Sequence, residues 1–143
     1  MKPYRLSGVS ALALSAFVSA GTVLADPRGL RLAQDGATVR VISCGNGLCA
    51  TIASPKSPID PATGAPWTDK NNADPGMRNR PLLGVEVLSS MMPDGPGRWS
   101  GPLYNTDNGQ TYPGHLLEID RNTIRVEGCV LFICGGQNMR RMQ

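Results

Sequence analysis

The chain is poor in aromatic rings: it has two tryptophans, three tyrosines and two phenylalanines, and Tyr4 and Phe17 stand within its first 25 residues. A wide aromatic cavity would be hard to line with the remainder, so we expect a narrow interior. His115 is the single histidine, which leaves no histidine-rich metal box. No phosphate-cradling glycine loop and no paired-carboxylate motif occurs. Helical periodicity is missing as well, and alternating segments take its place. Beyond the first 25 residues no apolar run reaches the roughly 20 residues that a membrane-spanning helix needs.

A strong charge is also lacking. Lys2 and Arg5 form a basic start, Gly8 to Val18 is apolar, and Val23-Leu24-Ala25 ends in the small-residue pattern of a cleavage site. That order describes a signal peptide over residues 1–25, with the mature chain starting at Asp26. The 143 residues less those 25 leave 118, the size of one domain. Of the 14 basic residues 12 remain, against 11 acidic ones. A general attraction to nucleic acid or to anionic lipid is therefore not indicated. We expect an exported protein, in the periplasm or outside the cell.

Four cysteines are present, in two copies of one spacing: Cys44-x4-Cys49 and Cys129-x4-Cys134. An even number in an exported chain points to disulfides, and we expect each pair to close on itself. Zinc is the rival, but the spacing is wide for a zinc knuckle, so we expect no metal and no cofactor. An Asn46-Gly47 turn would set Cys44 opposite Cys49, Val41 opposite Ile52 and Ser43 opposite Ala50. In the second pair Leu131 and Phe132 would sit at a two-residue tip and resist positive φ. A four-residue loop over Val130 to Ile133 is expected instead, with this apolar tip tucked under the long loop between residues 54 and 80; left exposed, it would be a contact patch for a partner.

Residues 54–80 form one long irregular region with five prolines, the kind that serves as a lid or binding loop. Trp67 is its one aromatic side chain. Asp74-Pro75-Gly76 reads as a type II turn. Arg78 and Arg80 leave one side of an extended chain, within reach of Asp69 or Asp74, either to pin the loop or to form an anion site. Around this region the alternation continues. Leu83, Val85 and Val87 mark a buried strand face, Trp99 to Tyr104 a strand, Asn108-Gly109 a turn, and Thr111 to Ile119 a strand. Ile124 and Val126 face inward, and the closing segment places Met139 opposite Ile124. About seven short hairpin-linked strands describe an all-β protein, and a small antiparallel up-and-down barrel leaves no edge to protect.

Several motifs then stand in a specific order: Cys44-Gly-Asn-Gly-Leu-Cys49, Asp60-Pro-Ala-Thr-Gly64, Asp69-Lys-Asn-Asn-Ala-Asp-Pro75, Arg78-Asn-Arg-Pro-Leu82 with Gly84, Trp99-Ser-Gly-Pro-Leu-Tyr104, Gly109-Gln-Thr-Tyr112 and Gly128-Cys129. Through them the chain resembles the bacterial exported family called domain of unknown function 2147, whose members resemble lipocalin-type (calycin) β-barrels. The resemblance implies the fold and brings no established activity. It also marks two departures, Arg31 and Met139, where the family usually has tryptophans that would help plug a barrel end.

His115 shares strand parity with Leu117 and Ile119 and would point into the barrel with them. A catalytic triad would further need Ser89, Ser100 or Asp107 beside it. We expect binding rather than catalysis, with an unknown small ligand or an envelope protein as partner. The candidate ligand contacts are Trp67, Arg78, Arg80 and His115 for an apolar or anionic guest. The candidate partner contacts are Val130, Leu131, Phe132 and Ile133. A hydrolase built on His115 is the remote alternative.

Overall fold

The computed structural model describes residues 13–16 and 25–142. The expected signal peptide thus lies almost wholly outside the described residues. Eight antiparallel strands close a barrel in the order β1-β10-β9-β8-β7-β6-β3-β2. They are β1 (Gly29–Leu32), β2 (Thr38–Cys44), β3 (Gly47–Ser54), β6 (Glu86–Pro93), β7 (Arg98–Asn105), β8 (Gln110–Asp120), β9 (Thr123–Val130) and β10 (Ile133–Arg141). Between β3 and β6 the long loop carries a two-stranded ribbon, β4 (Ile59–Asp60) with β5 (Ala65–Pro66), and one 3-10 turn at Pro75–Met77. No described helix is long and apolar enough to cross a membrane.

Alternation decides which side chains face inward. Val39, Val41, Leu48, Ala50, Leu88, Met91, Leu116, Ile124, Val126 and Met139 form one buried cluster, with Trp99 and Leu103 packed against it. Met139 pairs with Ile124, the register read from the sequence. The core fills one half of the barrel, and its end is closed by Arg31, only 1% exposed. The guanidinium of Arg31 donates to the backbone carbonyls of Pro27 and Asp26 at 2.8 and 2.9 Å. Where a ring would plug this end by contact alone, an arginine must have its donors matched, and the N-terminal turn supplies the acceptors.

Three local expectations are corrected. The first hairpin turns at Gly45-Asn46, so that Cys44 pairs with Gly47, Val41 with Ala50 and Val39 with Ile52. Gly45 takes φ +56° at the first central position, which a type II′ turn requires. Gly47 is needed in the strand, because a Cβ there would stand 2.2 Å from the Met91 carbonyl oxygen. The slip is an even one, so the same side chains still face the core. Second, Leu83 lies outside the wall at 59% exposure, and β6 turns Leu88 and Met91 inward. A bulge around Ser90, at φ +48°, changes the register on both sides of it. Third, Pro75 opens a 3-10 turn capped by the Asp74 carboxylate rather than a type II turn, and Gly76 does not take a positive φ.

Candidate functional site

Above the core the barrel is open. A cavity of about 740 Å³ is walled by Val39, Ile52, Leu88, Leu103, Val126 and Met139, with Gly128, Gly135 and Gly136 along the β9–β10 side. The expected narrow interior is therefore corrected. With small side chains and glycines on the wall, a scarcity of rings leaves space unfilled instead of shrinking the barrel. A Cβ at Gly135 would meet nothing within 4 Å. The rim carries Asp35, Asn105, Thr106, Asp107 and Gln137, and two tyrosines reach it. Tyr112 is held between Asn108 and Gln110 by its hydroxyl, at 2.8 and 3.1 Å.

The long loop borders the mouth on the β3–β6 side and is tied to it through a buried carboxylate. Asp69, 1% exposed, accepts hydrogen bonds from the Tyr104 hydroxyl at 2.7 Å, the Asn72 amide at 2.8 Å and Arg80 at 2.9 Å. Burial acts to raise the Asp69 carboxyl, but these three donors outweigh it and hold the group below its ordinary value. Its partner moves the other way: burial, then the hydrogen bond to Asp69 and that carboxylate's charge, push the Tyr104 hydroxyl up to about 12. The loop thus keeps a carboxylate and a neutral phenol together across the whole neutral range. Lys70 pairs within the loop with the buried Asp60 at 2.6 Å, and Asn71 makes the second tie to the mouth, donating to the carbonyls of Thr106 and Asp107. Gly109 lets Asn71 approach, since a Cβ there would stand 1.7 Å from the Asn71 carbonyl oxygen.

The sequence-derived contacts are not brought together. Trp67, within the loop, has the ammonium groups of Lys56 and Lys70 at 4.8 and 5.1 Å from its ring centre and lines a side pocket of about 80 Å³ next to the mouth. Arg80 is committed to Asp69, and Arg78 donates to the Asn72 carbonyl at 2.8 Å. Neither arginine lines the cavity. The pinning reading of this pair holds, through Arg80. His115 does not point inward: its neighbour Leu116 is fully buried in the core, while Ile119, of the parity of His115, is 52% exposed. The imidazole lies on the outer wall, 3.5 Å from Glu127 and 3.6 Å from the Cys129 sulfur. Ser100 pairs across the strands with His115, and its hydroxyl donates to Asp94 rather than to the imidazole.

Both cystines close as expected, Cys44 to Cys49 and Cys129 to Cys134. The second hairpin keeps Cys129 opposite Cys134 but turns in two residues, with Leu131 at φ +57°. The four-residue loop is corrected accordingly. The tip is not tucked away either, for Leu131 and Phe132 are each 90% exposed and Val130 and Ile133 stand at the rim of the cavity. The long loop lies on the opposite side of the mouth, above β3 and β6, too far round the barrel to cover this tip.

The bacterial family described as "Uncharacterized protein conserved in bacteria", domain of unknown function 2147, matches residues 29–141. The chain belongs to this family. A solved structure from Helicobacter pylori, protein HP1028, described as belonging to the lipocalin family, is similar in fold. The two share 20% identity at a TM-score of 0.70, over 83% of this chain and 84% of that one. No curated protein sequence matches the chain significantly. The family's barrel was readable from its ordered motifs. The open cavity was not, because its signal is what is missing at Gly128 and Gly135, and a missing side chain carries no periodicity.

Proposed function

We propose that this family member is exported and carries one small, largely apolar molecule in the open half of its barrel, binding it without transforming it. The cavity supports this reading above all. Its volume falls in the range of small-molecule sites, roughly 300–1,000 Å³, its wall is mainly aliphatic, and its rim is polar. A guest fits this geometry better than a partner protein does. An anion fits less well than a neutral molecule, because Asp35 and Asp107 stand at the rim while Arg78 and Arg80 lie elsewhere. Several rim polar groups are already engaged: Asp35 accepts from the Ala37 N–H, Gln137 from the Gln34 N–H and Asn105 from the Asp107 N–H, while the Tyr104 and Tyr112 hydroxyls are bonded to Asp69 and to Asn108 and Gln110. They would therefore select by shape and dryness more than by charge. Two cystines suit an oxidising compartment, and a mature N-terminus at Asp26 would establish the cleavage.

Gly135 gives the test. Gly135→Leu places a side chain in the void without a backbone clash. Binding of the neutral fluorescent probe Nile red should weaken at least tenfold while the circular dichroism of the barrel is unchanged. Equal binding by the folded variant would remove the cavity as the site.

A further inference from the structure

On the outer wall, away from the cavity, four donors of metal-ligating type converge. One ligand atom each from His115, Glu127, Cys129 and Cys134 lies within 4.8 Å of every other. The placement follows from the register. His115 pairs with Glu127, Cys129 pairs with Cys134, and alternation puts all four on the same outer face. We propose that reduction of the Cys129–Cys134 disulfide by a dithiol reductant turns this cluster into a tetrahedral Zn²⁺ site, with two thiolates, His115 Nδ1 and one Glu127 oxygen as ligands.

The distances favour zinc. Bonds of about 2.0 Å to nitrogen or oxygen and about 2.3 Å to sulfur place tetrahedral ligands roughly 3.3–3.8 Å apart. His115 Nδ1 is already 3.5 Å from Glu127 Oε1 and 3.6 Å from Cys129 Sγ. The two sulfurs must separate, which breaking their bond allows, and the remaining pairs, all within 4.8 Å, must close to the tetrahedral spacing. Arg125 Nε donates to Glu127 Oε2 at 3.0 Å, which orients the carboxylate and leaves Oε1 for the metal. Two thiolates, a carboxylate and a neutral imidazole around Zn²⁺ carry one net negative charge, and the Arg125 guanidinium offsets it.

The chemistry balances as thiol–disulfide exchange followed by metal uptake. A thiolate of the reductant attacks Cys134 Sγ, the exposed sulfur of the pair, and the Cys129 thiolate leaves beside His115. The reductant's second thiol then displaces Cys134 and closes its own disulfide. Two electrons pass to the cystine, and Zn²⁺ displaces the two thiol protons to solvent. The other cystine has no such set: Cys49 is 4% exposed, and among the described residues no histidine or carboxylate cluster includes it.

Cobalt reports the site directly. The full oxidised protein and its dithiol-reduced form are titrated anaerobically with Co²⁺ alone, then back-titrated with Zn²⁺. One Co²⁺ per chain should bind after reduction only, with a thiolate-to-cobalt absorption band that Zn²⁺ removes. Cys44→Ser/Cys49→Ser should keep the band and Cys129→Ser/Cys134→Ser should lose it. His115→Ala and Glu127→Gln, which leave the cystine in place, should each weaken binding at least tenfold. The proposal is overturned if the reduced protein shows no band although four thiols titrate. Equal Co²⁺ uptake by His115→Ala also overturns it, since that is what an unfolded chain would give.

Discussion

The two cystine hairpins share one spacing and differ in almost everything else. In β2–β3 the turn glycine at Gly45 and the close approach at Gly47 set the register, and Cys49 pairs across the strands with Ile42. Its turn lies at the plugged end, where Val41, Leu48 and Ala50 are buried, while Val39 and Ile52 further along reach the cavity wall. In β9–β10 Cys129 faces Cys134 squarely and the tip stands in solvent at the mouth. A Cys-x4-Cys pattern therefore fixes which cysteines join and leaves the pairing of their strands to the glycines. One hairpin spends its small residues on packing, the other on leaving room.

Substituting a glycine in each hairpin should give the widest contrast. Gly47→Val forces a Cβ against the Met91 carbonyl, a backbone atom that cannot swing aside. It should cost about 3 kcal/mol or more and lower Tm by roughly 10 °C or more. Gly135→Val meets nothing within 4 Å and should stay within about 0.5 kcal/mol of the parent. Thermal unfolding of both variants is the check. Similar losses would mean that the open half is as tightly packed as the closed one.

Removing each cystine in turn should give a smaller and equal effect. Both disulfides close a sequence separation of 5, so the loop-closure term is the same, about 2 kcal/mol each. Cys44→Ala/Cys49→Ala and Cys129→Ala/Cys134→Ala, compared by urea unfolding, should shift the midpoint alike. A markedly larger loss in one pair would show that its cystine holds native packing as well as restraining the unfolded chain.

Much of the barrel was legible before any coordinates, because a strand with one buried face announces itself at every second residue. Ile124, Val126 and Met139 did so, and their register followed. The failures have local physical causes. The turn was read at Asn46-Gly47, whereas Gly47 belongs to the strand against Met91, a residue over 40 positions away that local turn chemistry does not reveal. At Ser90 a bulge moved Met91 inward, which alternation cannot anticipate. His115 was assigned with Leu117 and Ile119, although Leu116 was equally apolar, and only the barrel's closure shows which parity faces in. The Asp69 hub was half visible. Its arginine could be proposed from spacing, whereas Tyr104, 35 residues on, required the fold.

The smallest of these effects lies at the tip, and its sign runs the other way. Leu131 holds φ +57°, a left-handed conformation that costs a side-chain-bearing residue about 1–2 kcal/mol. At 90% exposure it has almost no packing energy to lose. Glycine adopts this φ freely and gives back part of the gain as unfolded-state entropy, so Leu131→Gly should stabilise the protein by about 0.5–1 kcal/mol. The reverse substitution at the turn that glycine already relieves should do the opposite: Gly45, at φ +56°, is that position, and Gly45→Leu should destabilise by a comparable amount. Differential scanning of the two variants sets the hairpins side by side. If Leu131→Gly lowers Tm instead, the tip leucine is held by a contact in the folded protein, and the mouth is less open on that side than its exposure indicates.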